Sequence, residues 1–580
     1  MSARPLRAAM LVLAALMFLS LAHGLPQRYV PDDHAVRAAL GIARDLGEHK
    51  VDTLQALVPP SGQYTTYPYL LPYADLAAVG VRYAVGRVTG RWHGTGEFGE
   101  AVLEDPTLAW LPARIVSALL ALLVPLGTYW AARQLQRSRG EAALAALLAG
   151  SSLLLVQYAH TERPWAPLAG FAACCLAASL RLRERPRLRD AVLATGFAAL
   201  AVATHPIGAL CFLLPALAML MWWPRLGVAL GSFAAAGAIA LLIGFPYLLV
   251  YGRDTGRGAI SGQNEAVSAV EIGGQAFDVS AFHGALAGDV ARAWFGYDPV
   301  LVGVGLIGLL LLARRVRGLG VPLLVLPPLL LVAFFLLYDG THVRYLLPAV
   351  PWLALGAACA LRLLVTAPGP GRALRVLVAG LAVALPLVQA ARLDLLLGRT
   401  DTRTQAAQDL LAVIPRGKVV AVDGYGPPLR PTAASVERIF DEVWTRREEQ
   451  QVRALGQAGV PDPPQARDVL PIGRYWKYDS YYPTDFTGGE APKELGRFLD
   501  ERGVAYYVQV DRQPDEQRRL PVTQLMAARG RLVYELSPTG RSPPAEAALP
   551  TDMAFPLLQV WRYERPGPWV RVWQLEGAAP

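Results

Sequence analysis

The chain has 580 residues, of which 53% are hydrophobic and only 17% charged, and its formal net charge is +9. Soluble proteins carry about a quarter charged residues, so this low average excludes a simple soluble enzyme, a disordered chain and a disulfide-rich secreted scaffold. Residues 1–390 contain 30 Lys and Arg against 21 Asp and Glu, whereas residues 391–580 contain 25 of each sign. We therefore expect a charge-poor part followed by a domain with the charge density of a soluble protein.

Apolar segments in the first part are candidates for membrane spans, because about 20 helical residues cross the hydrocarbon core. Eleven such segments are present: 7–24, 108–131, 141–157, 164–180, 191–205, 206–222, 227–250, 299–313, 320–338, 343–361 and 373–390. A further apolar stretch, 67–86, contains Asp75 and Arg82, and it predicts an amphipathic helix at the membrane interface.

The distribution of arginine predicts the orientation, since short cytoplasmic loops collect Lys and Arg. With a cytoplasmic N-terminus, the inner segments carry 17 basic residues against three acidic ones. We expect a multi-pass protein of the inner (cytoplasmic) membrane, with a transmembrane domain over 1–390, long outer loops at 25–107 and 251–298, and an extracytoplasmic domain over 391–580. Nucleic acid is not an expected partner, because no basic stripe with interleaved aromatic residues occurs.

The last 190 residues alternate helix and strand signals, as in AAQDLLAVI followed by KVVAV and ELGRFLDERG followed by VAYYVQV. Further strand-like runs are RLVYEL, LLQVWRYE and VRVWQLE. This alternation predicts a C-terminal α/β domain. Its DGYGPP stretch lacks the GxGxxG fingerprint, so it predicts no nucleotide site.

Asp32 and Asp33 are the best candidates for chemistry, because they follow the first apolar segment directly and precede a helical pattern. Carboxylates are favoured at the positive end of a helix dipole, and one of an adjacent pair can act as a general base. Asp at a helix start also caps helices. Local sequence leaves both roles open.

These features together resemble the GT-C membrane glycosyltransferases, and among them glycosyltransferase family 39 with its protein mannosyltransferases and aminoarabinose transferases. Pro31-Asp32-Asp33 looks like the family's Pro-Asp-Glu, and Tyr67-Pro68-Tyr69-Leu70 looks like its Tyr-Pro-Pro-Leu. Arg114 looks like the arginine that opens the second span. THVRYLLPAVPWLALGAA is similar to the Arg-Tyr-Leu-Leu-Pro helix start. The matches run from about residue 20 to 425.

The resemblance implies a membrane glycosyltransferase that moves a sugar, with inversion, from a polyprenyl-phosphate donor to a hydroxyl of a lipid, glycan or protein acceptor on the outer face. Asp32 or Asp33 is then the base. Arg344 is the first choice for binding the donor phosphate. The other predicted phosphate contacts are His342, Arg114 and His205. The predicted substrate contacts are Tyr67, Glu162 and Trp165.

Two positions depart from the family pattern. Trp165 stands where the family's His-x-x-x-Pro-Asp segment has its aspartate, so a divalent metal is left open, with Glu162 as its candidate ligand. No other cofactor is expected. His205 stands where relatives often have lysine, and it is either a phosphate contact or a satisfied histidine at a helix end.

Two other classes of protein are the alternatives. An ion-coupled transporter normally places ionisable residues within its helices, and such residues are scarce in the eleven segments. A membrane-anchored sensor that binds a ligand in the outer α/β domain needs far fewer spans than eleven, and it predicts that 391–580 alone retains the activity.

Overall fold

The structure is a computed structural model, and it describes residues 4–27, 33–48, 52–59, 67–220, 226–251, 269–272, 275–278, 282–316, 320–338, 342–423, 426–435, 464–472, 491–511, 516–540 and 557–576. The chain forms two compact units. The first comprises Met1–Asp394 with Pro550–Val560, and the second comprises Leu395–Leu549 with Trp561–Pro580.

The first unit is built almost entirely of helices, as its apolar composition predicts. They are α1 (Arg4–Phe18), α2 (Asp33–Glu48), α3 (Thr53–Leu57), α4 (Leu70–Val88), α5 (Thr95–Glu104), α6 (Thr107–Ala121), α7 (Leu123–Gln134), α8 (Arg139–Gly150), α9 (Leu153–Ala159), α10 (Trp165–Glu184), α11 (Leu188–Thr204), α12 (Leu213–Met219), α13 (Leu226–Ile239), α14 (Pro246–Tyr251), α15 (Ala287–Tyr297), α16 (Pro299–Ala313), α17 (Gly320–Leu337), α18 (Val350–Thr366) and α19 (Arg372–Leu397). Two 3₁₀ segments, Pro206–Phe212 and Val343–Ala349, precede α12 and α18. A short hairpin pairs β1 (Ala269–Ile272) with β2 (Gln275–Asp278).

Among the described residues, six helical segments are long and apolar enough to cross a membrane: Thr107–Gln134, Trp165–Glu184, Gly227–Gly244, Gly320–Leu337, Val343–Thr366 and Arg372–Val413. Two bent pairs raise the number to eight if each is one span; α8 and α9 meet at 61°, and α15 and α16 meet at 104°. A multi-pass helical protein is therefore confirmed, whereas the predicted count of eleven spans is not confirmed. The predicted span 141–157 is a broken helix, because α8 ends at Gly150 and α9 begins after Ser152.

The stretch at 67–86 forms α4, which has a buried and an exposed side. Leu71, Asp75 and Val79 are buried, whereas Val81 and Val88 are 65% and 89% exposed. Within the described chain, α4 is not one of the candidate spans. Its location at the membrane interface remains a prediction.

Small residues let α16 and α18 approach closely. A Cβ added at Gly308 would lie 1.9 Å from the carbonyl oxygen of Gly356, which is inside any allowed contact distance. A Cβ at Gly303 on the same helix would meet only Phe295 Cε2, at 3.5 Å. Glycine at position 308 is thus required by the helix–helix contact.

We expect Gly308→Ala to destabilise the first unit by about 1–3 kcal/mol, because two helix backbones must separate to admit the methyl group. Gly303→Ala is the matched control, and its stability should change little. Thermal unfolding of the purified proteins measures both, and equal shifts for the two variants would contradict the packing described.

The second unit contains a five-stranded sheet in the order β4-β3-β5-β7-β6. Its strands are β3 (Val419–Asp423), β4 (Asp468–Ile472), β5 (Val504–Asp511), β6 (Gly530–Leu536) and β7 (Trp569–Leu575), and its helices include α20 (Thr402–Val413), α21 (Ala491–Glu501) and α22 (Glu516–Arg529). Strand β3 pairs in parallel with β4 and β5, and β7 pairs antiparallel with β5 and β6.

Apolar side chains bury both faces of this sheet. Leu495, Leu499 and Met526 from α21 and α22 cover one face, and Ala406 and Leu410 from α20 cover the other. The predicted α/β domain is confirmed.

One predicted strand in this region is wrong. LLQVWRYE begins with a short helix, α23 (Leu557–Arg562). A short apolar run does not separate helix from strand by periodicity.

Candidate functional site

Three chain segments of the first unit meet at positions where a helix starts or is interrupted. Trp165 begins α10 directly after Pro164. His205 lies between the end of α11 and the proline that starts the first 3₁₀ segment. Arg344 lies in the second 3₁₀ segment, just before α18. Since proline lacks a backbone N–H and resists continuation of a helix, these two prolines set the breaks at which Trp165 and His205 lie.

Aromatic rings pack at tilted angles around Trp165. Its ring centroid lies 4.5 Å from that of His205 and 4.5 Å from that of Tyr345. Trp165 is 1% exposed and His205 is fully buried. The site is therefore an enclosed aromatic cluster.

The guanidinium of Arg344 adds a positive charge to this cluster. Its Cζ lies 5.2 Å from the ring centroid of Tyr345 and 5.9 Å from that of Trp165, within the range of cation–π attraction. Arg344 is 8% exposed and close enough to His205 for the two to interact electrostatically. A buried guanidinium in an apolar unit favours an anionic ligand, and its planar fork matches phosphate oxygens.

The hydrogen bonds of His205 define which nitrogen carries its proton. Nδ1 accepts a hydrogen bond from the backbone N–H of Ile207 at 3.2 Å, so the neutral ring carries its hydrogen on Nε2. That Nε2 is buried, and no described residue accepts a hydrogen bond from it. The histidine thus caps a helix start with one nitrogen and keeps a donor for a ligand on the other.

Two further predicted residues join the cluster at its margin. The Tyr67 ring centroid is 5.5 Å from that of His205, and the His342 ring meets Tyr345 edge-on at 5.4 Å. The structure thus brings together five of the predicted site residues: Tyr67, Trp165, His205, His342 and Arg344. Tyr345 was not singled out from the sequence, although its place next to Arg344 in the THVRYLLP motif is a usable signal.

Arg114 and Glu162 have other surroundings. Arg114 is fully buried, and its Nη1 donates hydrogen bonds to the carbonyl oxygens of Leu21 and His23, at 2.7 and 2.6 Å. It therefore braces the turn after α1. Glu162 is buried as well, but no group of three or more His, Cys, Asp or Glu side chains in the described part of the chain is placed to hold a metal ion.

The carboxylate pair is only partly described. Asp32 lies outside the described residues, and Asp33 begins α2 while its side chain also lies outside them. A helix start at this point agrees with the sequence pattern. The catalytic role of the pair stays a prediction.

An apolar groove is lined by residues that follow the cluster along the same three segments, together with residues of α17. Its lining includes Leu168, three residues beyond Trp165, then Ile207 and Gly208 directly after His205, and Pro348, four residues beyond Arg344. The remaining lining residues are also apolar: Ala172, Leu210, Cys211, Leu214, Pro327, Pro328, Leu331 and Trp352. The aromatic cluster and the apolar groove are therefore built from neighbouring residues of the same segments.

No protein-family model and no curated protein sequence matches the chain significantly. Solved structures do resemble it. ArnT from Cupriavidus metallidurans bound to undecaprenyl phosphate is 12% identical, with 99% of this chain and 98% of that chain covered and a TM-score of 0.41. The Archaeoglobus fulgidus oligosaccharyltransferase in the apo form is 14% identical, with 93% and 73% covered and a TM-score of 0.45.

The arabinofuranosyltransferase AftD from Mycobacteria is 18% identical over 99% of this chain and 42% of that one, with a TM-score of 0.44. All three are membrane glycosyltransferases of the GT-C fold. The likeness to these structures is one of fold alone.

Proposed function

We propose that the protein is an integral membrane glycosyltransferase that takes its sugar from a polyprenyl-phosphate donor. One observation supports the proposal: the three segments that carry the buried Arg344–His205–Trp165 cluster also line an apolar groove, a few residues further along each of them. An amphiphile with a phosphate head and an apolar tail suits this arrangement, because a buried cation and an apolar groove lie on the same chain segments. Inorganic phosphate or a free sugar as the ligand would not account for the apolar groove, because neither has an apolar tail.

The residues of the cluster contact different parts of the donor. Arg344 binds phosphate oxygens through its guanidinium and neutralises the charge that grows as the phosphate departs. The Nε2–H of His205 donates a second, uncharged hydrogen bond. The half-buried ring of Tyr345 presents a flat apolar face against which a sugar ring packs, and the buried ring of Trp165 supports it.

Transfer then follows as a single displacement. Asp32 or Asp33 removes the proton of an acceptor hydroxyl, whose oxygen attacks the anomeric carbon from the face opposite the phosphate. The bond between the anomeric carbon and the phosphate oxygen breaks, and polyprenyl phosphate leaves with the electron pair. The configuration at the anomeric carbon is thereby inverted. The described residues do not assemble a metal site, so no step is assigned to a metal.

The proposal includes an orientation of the protein in the membrane. With the N-terminus in the cytoplasm, the arginine-rich inner loops face the cytoplasm, and the acidic loop that carries Asp32 and Asp33 faces outward together with the 391–580 domain. The acceptor is a lipid, glycan or protein hydroxyl on that side. Cysteine accessibility at residue 33 tests this orientation, and labelling from the cytoplasm alone would reverse it.

The groove makes a specific prediction about donor length. Ala172→Phe places a ring in the groove, so we expect the KM for a full-length polyprenyl-phosphate sugar to rise about tenfold, which corresponds to about 1.4 kcal/mol. A donor with only two or three isoprene units should be affected far less. The measurement is initial-rate transfer by purified protein in lipid nanodiscs.

Ala235→Phe, on an exposed face of α13, is the matched control and should leave the KM of both donors unchanged. Ala172→Val provides a smaller insertion if the larger one unfolds the protein. An equal rise in KM for the long and the short donor would contradict a chain site in the groove.

A further inference from the structure

The short helix α9 leads directly to the donor cluster, and its first turn is held by a distant carboxylate. Asp298, at the corner between α15 and α16, accepts hydrogen bonds from Leu153 N at 2.8 Å and from Ser152 Oγ at 2.7 Å. Ser152 Oγ in turn accepts one from Leu155 N at 3.2 Å. The N–H groups that a helix start leaves open are thus satisfied, and the direction of α9 is fixed.

The residue after α9 is His160, which is 3% exposed. Its Nδ1 lies 2.6 Å from the carbonyl oxygen of Val156, one turn back. Its Nε2 lies 3.0 Å from Oδ1 of Asp394 on α19 and also contacts the carbonyl oxygen of Leu19. One imidazole therefore joins α9, the turn after α1 and the last helix of the first unit.

The turn after α1 is the second segment that this contact fixes. Ser20 Oγ donates a hydrogen bond to the backbone carbonyl oxygen of Asp394 at 2.8 Å, and Arg114 binds the carbonyl oxygens of Leu21 and His23. This turn leads along the chain to Asp32 and Asp33. The His160 end of α9 leads, within five residues, to Trp165.

We propose that His160 and Asp394 are positioning residues, which set the segment leading to the carboxylate pair against the segment leading to Trp165. A buried ionisable pair adds little net stability, because the loss of hydration offsets the attraction between the two groups. This pair, however, joins the two segments that lead to the proposed base and to the donor site. The catalytic consequence rests on the proposed function, whereas the contact between the segments does not. Misplacement of reacting groups by about 1 Å can cost a hundredfold in rate.

The test compares Asp394→Asn, His160→Gln and the double variant with Glu141→Gln in the full-length protein. Glu141 is the matched control, because it is a buried carboxylate of the same unit that pairs with Arg362 and Arg137, away from both segments. The readouts are hydrogen exchange of the amides in 19–27 and 161–165, affinity for undecaprenyl phosphate, and steady-state transfer.

We expect faster exchange in both segments for each single variant, and a kcat at least tenfold lower than that of the unmodified protein. Affinity for undecaprenyl phosphate should change less than threefold, since Arg344 and His205 are retained. The double variant should be no worse than either single one, because the two residues act as a unit. Glu141→Gln should leave exchange in both segments and kcat unchanged.

Unchanged exchange in 19–27 and 161–165 in a folded Asp394→Asn or His160→Gln variant would overturn the proposal. Faster exchange with unchanged kcat would also overturn it, because the contact would then be structural only. If the unmodified protein transfers no sugar, the proposed function fails by itself, and the exchange comparison still decides whether the pair joins the segments. Asp394→Glu retains the carboxylate, so its rate should be closer to that of the unmodified protein.

Discussion

Replacement of Arg344 by alanine is expected to lower the rate of sugar transfer at least a hundredfold. The guanidinium is the buried cation that faces Trp165 and Tyr345, and in the proposed reaction it stabilises the charge that develops on the departing phosphate. Removal of one such preorganised group typically costs a factor of about 10²–10³ in kcat. Arg344→Lys should be intermediate, because an ammonium is a point charge that does not bind two phosphate oxygens in one plane.

Arg362→Ala is the matched control for this prediction. Arg362 lies on α18, 18 residues beyond Arg344 and so roughly 27 Å along a helix, and it pairs with Glu141 rather than with the cluster. Its loss should reduce thermal stability without a comparable loss of transfer rate. A turnover of Arg344→Ala within threefold of the unmodified protein would show that the phosphate does not bind at this cluster.

Replacement of the carboxylate pair should have the second large effect. We expect one of Asp32→Asn and Asp33→Asn to reduce kcat by about 10²–10⁴, the usual contribution of a general base. The affinity for the donor should stay close to that of the unmodified protein, because the phosphate contacts lie on other segments. Initial rates and equilibrium binding of undecaprenyl phosphate separate the two quantities.

Asp52→Asn is the matched control in the same loop. Asp52 caps α3, where its Oδ1 accepts a hydrogen bond from Gln55 N at 2.9 Å, and this is the structural role that the capping interpretation gives to the pair. Loss of a cap costs about 1 kcal/mol in stability and leaves catalysis intact. If Asp32→Asn and Asp33→Asn both behave like Asp52→Asn, the pair is a cap and not a base.

The sequence predicts individual members of the site better than their arrangement. Trp165, His205 and Arg344 each stand at a proline-marked helix start, a local signal that survives in the fold. Their contact depends on how α10, α11 and the segment before α18 pack, and no local pattern carries that information. The contact of Tyr345 with Trp165 depends on the same packing.

The contact between His160 and Asp394 is even harder to predict from local sequence. His160 and Asp394 are 234 residues apart in the chain and 3.0 Å apart in the fold. Asp394 lies near the end of a long apolar helix, where a single carboxylate resembles an ordinary membrane-interface residue. Local hydropathy also assigned 141–157 to one span, although the bend between α8 and α9 is the feature that delivers His160 to its partners.

The most direct measurement of the central claim is sugar transfer by the purified full-length protein in lipid nanodiscs. A polyprenyl-phosphate donor with a radiolabelled sugar is supplied together with a membrane extract as the source of acceptors. The proposed function predicts that label moves to an acceptor while free polyprenyl phosphate is released in equal amount, and that Arg344→Ala lowers the rate of both at least a hundredfold. Donor that stays intact with the unmodified protein across a panel of hexosyl and pentosyl donors would contradict it.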